Sequence, residues 1–514
     1  MHQETVTTHS AVVHQVGIYA WLTGLCILPF LRLGSSLDAH WTSAWPALLL
    51  LVVVGLASRL ITISHRFFWI MPIILVVMSV QSLAGKDFYG EDVFLLISLF
   101  FLVSVQPTEL LLNLTAARNS MTALWCVFSV VLIGLIVRNS LLLGYSHEST
   151  YAIKPLFAHR NIAIETYTLW SVALFALLSD SRLRWLVLLI AASLVVVYQV
   201  RTAFIGLALF LVIEFVRNFK HQRWLKWFLV AGCALLIALQ MTFFFLRTPA
   251  QKHHFDALPD LVKQLDLFYN LTSAESSSER LVMWQWTVDR SNLFGNGIGS
   301  WKFDAEGYIG AALGKCDLMV RHPHSDILKM VFETGILFTI LFLAWWLVLL
   351  KPSFRYLVVF LPMFVFAFPT ERGETLGALM VMLLFTAKPK PVNRGLRLMP
   401  GLIVTAALVT VSLGWSRSQH CLGKAMRDPL TLKATSPLDR KLLDTFPFDI
   451  VLNRLPTYQA IILADAGQTE AARELLTGVL VEHSNDQGAL RLMLRLGGEL
   501  PSNAVVCDSL TIER

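Results

Sequence analysis

Runs of apolar residues constrain this chain more than any other feature, because they leave little polar sequence for a soluble fold. About thirteen apolar windows follow one another, and a helix needs about 20 residues to cross the hydrocarbon core of a bilayer. The sequence therefore predicts an all-α fold, a polytopic membrane helix bundle of about 12–13 spans, some tilted or re-entrant. The windows lie near residues 16–34, 44–58, 67–84, 93–106, 121–143, 161–179, 183–200, 202–217, 224–246, 326–350, 355–370, 375–387 and 398–415.

These windows divide the chain into four parts. Residues 1–246 form the first part of the bundle, with about nine spans, and 326–415 form the second, with about four. Residues 247–325 between them are a long polar loop, and residues 416–514 have an ordinary soluble composition.

Composition agrees with a membrane protein, since 55% of the 514 residues are hydrophobic and only 15% are charged. The formal charge of +7 is scattered between apolar windows, with no basic face, so we predict no nucleic-acid partner. Lys and Arg concentrate in the loops on one side, and the positive-inside rule makes that side cytoplasmic. The N-terminus is then cytoplasmic, and the long loop and the C-terminal tail lie outside.

A polar, titratable cluster precedes the window 326–350. Pro323 favours a helix start at its own position. Residues two apart on a helix point about 200° from each other, so His322 and His324 are expected to face opposite ways. Histidine changes charge near neutral pH, which makes His324 a candidate general base. A cap or an interfacial hydrogen bond is the structural alternative for this residue.

Charged residues continue into the same window. Lys329 and Glu333 are four apart, so they can face each other and partly neutralise. Ionisable groups inside a membrane are costly and suggest function. A metal site from His322, His324 and Asp326 is a further alternative, but their spacing cannot place all three on one helical face.

Three arginines lie on the outer side, where arginine is disfavoured, and each is close to the end of a window. Arg160 precedes Asn161 at the start of one window, Arg201 occupies a tight hairpin between two windows, and Arg372 precedes another. A guanidinium can bind phosphate oxygens through a planar fork. The alternative is snorkelling, in which the side chain reaches from lipid to the interface.

The long loop carries its own helical signal. Ser276, Ser277 and Ser278 resemble a helix N-cap region, and Leu281, Trp284 and Val288 then recur at helical spacing. A glycine-rich segment at 292–299 predicts a turn-rich loop.

These motifs, in this order, resemble the O-antigen ligase family, bacterial membrane enzymes that move a finished glycan from undecaprenyl diphosphate to an acceptor. The resemblance includes pilin-type protein O-oligosaccharyltransferases. It rests on an Arg-x-x-x-Trp pair, the glycine turn and a His-Ser-x-x-Leu-x-x-x-x-Glu-x-Gly pattern. These are filled by Arg280, Trp284, Gly295, Gly297, Gly299, His324, Ser325, Leu328, Glu333 and Gly335.

The resemblance implies inverting, metal-independent transfer at a periplasmic site of the inner membrane, with no cofactor. It makes His324 the catalytic residue. It gives the donor diphosphate to Arg160, Arg201 and Arg280, and it makes Asn161, Ser325, Glu333 and Arg372 supporting residues.

Three acceptors stay open: a serine or threonine of an exported protein, the lipid A core, or another glycan repeat, as in polymerases. The tail favours a protein acceptor, because Ala460 to Leu480 resembles one tetratricopeptide-type helical hairpin. One repeat cannot bury its own face, so it must pack on flanking helices or on a partner. Cys421 and Cys507 bracket this region and could pair in an oxidising compartment.

A lipid-linked glycan flippase is the alternative from a different class. Such transporters are usually built from repeated halves with a site at the bilayer midplane. This sequence has no visible internal repeat, and its titratable residues gather at one interface.

Overall fold

The architecture comes from a computed structural model of the chain, and it is mostly helical. The structure describes residues 16–25, 27, 39–86, 89–112, 115–143, 160–179, 181–198, 200–218, 241–242, 246, 275–302, 304–305, 309, 322–367, 372–389, 398–427, 455–482 and 487–500. Most of the predicted window 224–246, much of the long loop, and Cys507 lie outside these residues.

Among the described residues up to Asn218, the helices follow the predicted windows. They are α1 Val16–Leu25, α2 Ala39–Ala57, α3 Arg66–Leu83, α4 Gly90–Val103, α5 Glu109–Leu112, α6 Thr115–Leu143, α7 Arg160–Leu177, α8 Leu183–Tyr198 and α9 Arg201–Asn218. The remaining helices are α10 Glu275–Arg290, α11 Asp326–Thr334, α12 Ile336–Leu350, α13 Phe354–Leu357, α14 Leu361–Phe366, α15 Gly373–Thr386, α16 Leu398–Arg427, α17 Leu455–Asp465, α18 Thr469–Glu482 and α19 Gln487–Arg495.

The mostly helical structure is compatible with the all-α prediction, and it also contains two short strands. Strand β1, Ile61–Ile63, pairs antiparallel with β2, Val105–Pro107. The side-chain hydroxyl of Thr108 also donates to the Leu60 carbonyl at 2.9 Å. The hydrogen bonds between these two strands pair backbone N–H and C=O groups of the segments that follow α2 and α4. Helical hydrogen bonds do not reach those segments.

Two predicted windows are each broken into two helices. The window 326–350 divides at Gly335, whose φ of 92° belongs to a region that side chains disfavour. A Cβ there would also lie 2.6 Å from the backbone nitrogen of Gly295, so the neighbouring turn needs glycine at this place. The window 355–370 divides into α13 and α14, and Pro362 near the start of α14 favours a new helix there.

Among the described residues, three helical segments are long and apolar enough to cross a membrane, namely Arg66–Leu83, Ala117–Leu142 and Pro400–Ser418. Shorter apolar helical segments are Val16–Leu25, Ala44–Ala57, Leu183–Tyr198, Ile336–Leu349 and Glu374–Thr386. The larger span count, the four-part division and the orientation stay predictions.

Helix α4 packs against apolar helices on two of its sides. On one side Phe94 meets Trp45 of α2 and Trp415 of α16, edge to face, with ring centroids 5.6 and 5.7 Å apart. On the other side Phe100 meets Phe342 of α12 at 4.7 Å. Such edge-to-face pairs are favourable beyond their buried area. Helix α4 therefore holds together helices from both ends of the chain.

Between residues 455 and 500, the described part of the C-terminal tail forms a three-helix unit. Helices α17 and α18 make the predicted hairpin, and Gly467 in the turn between them has a φ of 76°. Helix α19 covers the hairpin, so that Ala472, Leu476 and Leu490 are fully buried together. The prediction that the single hairpin must pack on a flanking helix is confirmed for the side that α19 covers.

Candidate active site

The segment before α11 holds two histidines in contact. The rings of His322 and His324 meet edge to face, with centroids 4.7 Å apart. The prediction that these side chains point in opposite directions is wrong. Its premise was a helix beginning near Pro323, whereas α11 begins only at Asp326. Both histidines therefore lie in the segment that precedes the helix.

Ser325 and His324 determine how the chain enters α11. Ser325 is extended, and its hydroxyl oxygen accepts a hydrogen bond from the backbone N–H of Leu328 at 3.3 Å, as an N-cap residue does. His324 has a φ of 53°, which is uncommon for any residue other than glycine. Residues held in such conformations cluster at functional sites, so this backbone geometry supports a role for His324.

Trp284 connects the histidine segment to helix α10. Its indole N–H donates to the Pro323 carbonyl at 2.7 Å, and its ring lies 5.8 Å from that of Phe366 at the end of α14. Arg280 precedes Trp284 by four residues, a rise of about 6 Å. The structure thus connects Trp284 of the predicted Arg-x-x-x-Trp pair to the histidine segment.

Helix α10 exists as predicted, but it buries a different face. Leu281 and Val288, from the predicted apolar stripe, are 60% and 58% exposed. Met283 and Trp286 are buried instead, and Trp286 stacks on Phe332 of α11 at 5.4 Å. The sequence could not separate these faces, because α10 is apolar on both.

The glycine-rich turn is fastened to the end of α11. The backbone N–H groups of Asn296 and Gly297 donate to the carbonyls of Phe332 and Glu333, at 2.9 and 3.2 Å. The side-chain amide of Gln81 in α3 donates to the same Glu333 carbonyl at 2.7 Å. These turn N–H groups bind protein carbonyls, so the turn supports α11 rather than offering them to a phosphate.

Five buried charged residues form a network that connects α11 to α4 and to Lys302. Lys329 Nζ lies 2.8 Å from one carboxylate oxygen of Asp92 and 3.9 Å from the carboxylate of Glu333. Lys302 Nζ lies 2.7 Å from the other oxygen of Asp92 and also binds Glu91. The predicted proximity of Lys329 and Glu333 is confirmed, although Asp92 is the nearer partner.

Asp92 is the centre of this network. Burial raises its pKa, but the ammonium groups of Lys302 and Lys329 outweigh burial and hold the pKa of that carboxyl well below its usual range. The close approach also requires glycine at 299, because a Cβ there would lie 2.6 Å from an Asp92 oxygen. Asp92 therefore joins α4, the segment after the glycine turn, and α11 through ionised groups.

The arginines at 160, 201 and 372 each lie at the start of a helix. Arg160 is the first residue of α7, Arg201 is the first residue of α9, and Arg372 is the N-cap residue of α15. A helix N-terminus carries a partial positive charge of about +0.5 and N–H groups without an intrahelical acceptor. Three such ends with arginines are therefore suited to an anion.

Glu165 in the second turn of α7 brings two of these helix starts together. One of its carboxylate oxygens accepts from the Thr202 hydroxyl at 2.6 Å, and the other lies 3.2 Å from a guanidinium nitrogen of Arg372. Arg280 also attracts this carboxylate electrostatically. Glu165 is fully buried, so α7, α9 and α15 meet around one carboxylate, with Arg280 of α10 nearby.

The predicted donor residues differ in their exposure. Arg160 and Arg372 are buried, Arg280 and Asn161 are half-buried, and Arg201 is exposed. Helix α8 ends at Tyr198, so Arg201 does occupy a tight hairpin, as predicted.

Sequence reasoning missed Glu165, Asp92 and Lys302. Glu165 had a visible signal, because it is an acid inside the window 161–179, and ionisable residues within spans are by default functional candidates. Asp92 and Lys302 had none, since their partners are more than 200 residues away along the chain.

Within the described ranges, no group of three or more His, Cys, Asp or Glu side chains is arranged to hold a metal ion. His322, His324 and Asp326 all fall in those ranges and do not form such a group. The alternative of a metal centre built from these three residues therefore gains no support.

No protein-family model, curated protein or solved structure matches this chain.

Proposed function

We propose that this chain is a glycosyltransferase of the O-antigen ligase type in the bacterial inner membrane. It moves a glycan en bloc from undecaprenyl diphosphate to a hydroxyl acceptor on the periplasmic side. The observation that carries the proposal is the meeting of α7, α9 and α15 around Glu165, with Arg160, Arg201 and Arg372 at their starts. Helix α10 links the two regions, because its Trp284 binds the Pro323 carbonyl of the histidine segment and its Arg280 attracts Glu165 electrostatically.

The arginines would hold the diphosphate of the donor. Negative charge grows on the leaving diphosphate as the glycosidic bond breaks, and fixed positive groups at that place lower the barrier. Helix N-termini and arginine forks supply such groups without reorganisation. Glu165 positions Arg372 from within the protein, and Arg280 approaches from α10.

His324 would act as the general base. The acceptor oxygen attacks the anomeric carbon, its proton passes to the imidazole, and the bond from that carbon to the diphosphate oxygen breaks. Undecaprenyl diphosphate then leaves. A base must lie within hydrogen-bonding reach of the proton it takes, and the contact of His324 with His322 gives its ring a defined orientation.

The acceptor that we propose is a serine or threonine of an exported protein such as a pilin. The support is the three-helix tail, because helical hairpins of this type commonly bind protein chains on an exposed face. Transfer to the lipid A core, or to another glycan repeat, is the competing outcome of the same assay.

The test measures transfer by the purified full-length chain in vesicles, with an undecaprenyl-diphosphate-linked glycan as donor. An exported pilin-type protein and lipid A core are offered as separate acceptors. The variant is His324→Asn, because asparagine tolerates the left-handed backbone that alanine resists. We expect it to lose about 10²- to 10⁴-fold in rate, while His322→Asn, as the matched neighbour, loses far less.

Each outcome is informative. Full activity of His324→Asn at equal protein level would remove His324 as the base, and equal loss in both variants would make the histidine pair the catalytic unit. Transfer to lipid A core alone would reassign the acceptor. Movement of the donor across the vesicle membrane without transfer would identify a flippase and refute the proposed reaction.

A further inference from the structure

The glycine-rich turn exposes two large apolar side chains at its tip. Leu293 is 52% exposed and Phe294 is 56% exposed, although the rest of the turn is fastened to α11. Asn292 stabilises this geometry, because its side-chain oxygen accepts hydrogen bonds from the backbone N–H groups of Phe294 and Gly295, at 3.0 and 2.6 Å. Leu293 and Phe294 are therefore held outward in a defined position.

The tip adjoins the outer surface of α12. The backbone N–H of Leu337 donates to the Leu293 carbonyl at 3.3 Å, so the turn lies against the first turn of that helix. Ile336, Leu337 and Ile340 of α12 are 41%, 46% and 58% exposed. Helix α12 contains no charged residue. Its inner side packs against α4 through Phe342, and its outer side is apolar and exposed, which is typical of a membrane helix that borders lipid.

Helix α10 extends the same kind of surface. Leu281 and Val288 are seven residues apart, two helical turns, so they lie on one face. That face is exposed, whereas the opposite face packs Trp286 against Phe332 and Trp301. An exposed apolar patch of this kind marks an interaction surface.

We propose that Leu293, Phe294, Leu281 and Val288 insert among the acyl chains of the bilayer. Helix α10 and the turn then rest in the membrane interface instead of projecting into the periplasm. The occupant is lipid, because the turn is hydrogen-bonded to α12 and its apolar tip continues the outer surface of that helix. Interfacial helices bind bilayers in this way, with an apolar face buried below the headgroups. The proposal does not depend on the transfer reaction.

The test uses the full-length chain in vesicles of phosphatidylethanolamine and phosphatidylglycerol that contain a lipid with an aryl diazirine on its acyl chain. Irradiation converts the diazirine to a carbene, which inserts into neighbouring side chains, and mass spectrometry of the digested protein locates the labels. Ile340 is the positive control. Val481 of α18, which is 73% exposed, is an apolar control in the tail, and Met283 is the buried control within α10.

We expect label at Phe294 and Leu281 at a level similar to Ile340 and about tenfold or more above Val481. Label at Ile340 with none at Phe294 and Leu281 would overturn the proposal. In that case, cross-linking between two chains at Phe294 would show that a second copy covers the patch. A Phe294→Asp variant tests whether the tip of the turn holds α10 against the bilayer. If it does, the variant keeps its label at Ile340 but loses label at Leu281. Retained label at Leu281 would show that α10 contacts lipid independently of the tip.

Discussion

Replacing Asp92 with asparagine tests whether the buried network holds α11 in place. Asp92→Asn keeps the size of the side chain but removes the charge that both lysines bind, at 2.7 and 2.8 Å. Lys302 still has Glu91, whereas the other carboxylate beside Lys329, that of Glu333, is 3.9 Å away. Breaking a buried ion pair from one side costs about 3–5 kcal/mol. Because only one lysine loses its nearest partner, we expect the lower end, about 3 kcal/mol.

The assay is the rate of unfolding of the purified chain in mixed micelles after a jump to denaturing detergent. A loss of about 3 kcal/mol that falls mainly on the unfolding barrier corresponds to unfolding about 10²-fold faster. Glu470→Gln is the matched control, since its ion pair with Arg473 lies at the surface with the Glu470 side chain 85% exposed. Surface pairs of this kind contribute little, so the control should unfold like the wild type.

The double variant Asp92→Leu with Lys329→Met separates charge from shape. Replacing a buried pair by apolar residues of similar volume is often neutral or stabilising, so we expect it to recover most of the loss.

The pH dependence of stability follows from the lowered pKa of Asp92. Since the folded-state value lies below the ordinary value of 3.8, the contribution is present above about pH 4 and is lost only as the pH falls through the folded-state value. Wild-type unfolding by Asp92→Asn at pH 7 would refute the reasoning.

Three further predictions test other elements. Gly335→Ala should destabilise the chain by about 1–3 kcal/mol in the same unfolding assay, because its φ of 92° and the adjacent turn exclude a side chain. The control Gly134→Ala should be neutral or stabilising, because the space around its Cβ position is open. Arg201→Lys should lose most donor-dependent transfer, since an ammonium cannot form a bidentate fork on phosphate, and wild-type initial rates would instead assign Arg201 to snorkelling. A topology reporter fused after Lys388 should be active only in the cytoplasm and one fused after Arg427 only in the periplasm; the same side for both would contradict the predicted crossing between them.

Local features of the site could be predicted from the sequence. The hairpin at Arg201, the helix that carries Arg280 and Trp284, and the tail hairpin all follow from short-range signals, namely apolar windows and turn residues. The proximity of Lys329 and Glu333 follows from helical spacing. In each case the residues that determine the geometry are close together along the chain.

The break in the window 326–350 was not predicted, although Glu333, Thr334 and Gly335 interrupt the apolar residues, because a single glycine inside a helical pattern is usually tolerated. The chain divides there because the glycine-rich turn packs against the end of α11, and that contact joins segments about 40 residues apart. The predicted orientation of His322 relative to His324 was wrong for a different reason. Pro323 is compatible with a helix start, but the Ser325 cap sets the start at Asp326.

The buried charges also impose an order on biosynthesis. Glu91 and Asp92 are synthesised 211 and 237 residues before Lys302 and Lys329, the respective partners in two of their ion pairs. At about 5–20 residues per second, the acids wait about 10–50 s before the ribosome has made either lysine. During that interval the first helices hold two carboxylates without the cations that later neutralise them. A chain that ends before residue 302 lacks both lysines and cannot form the network.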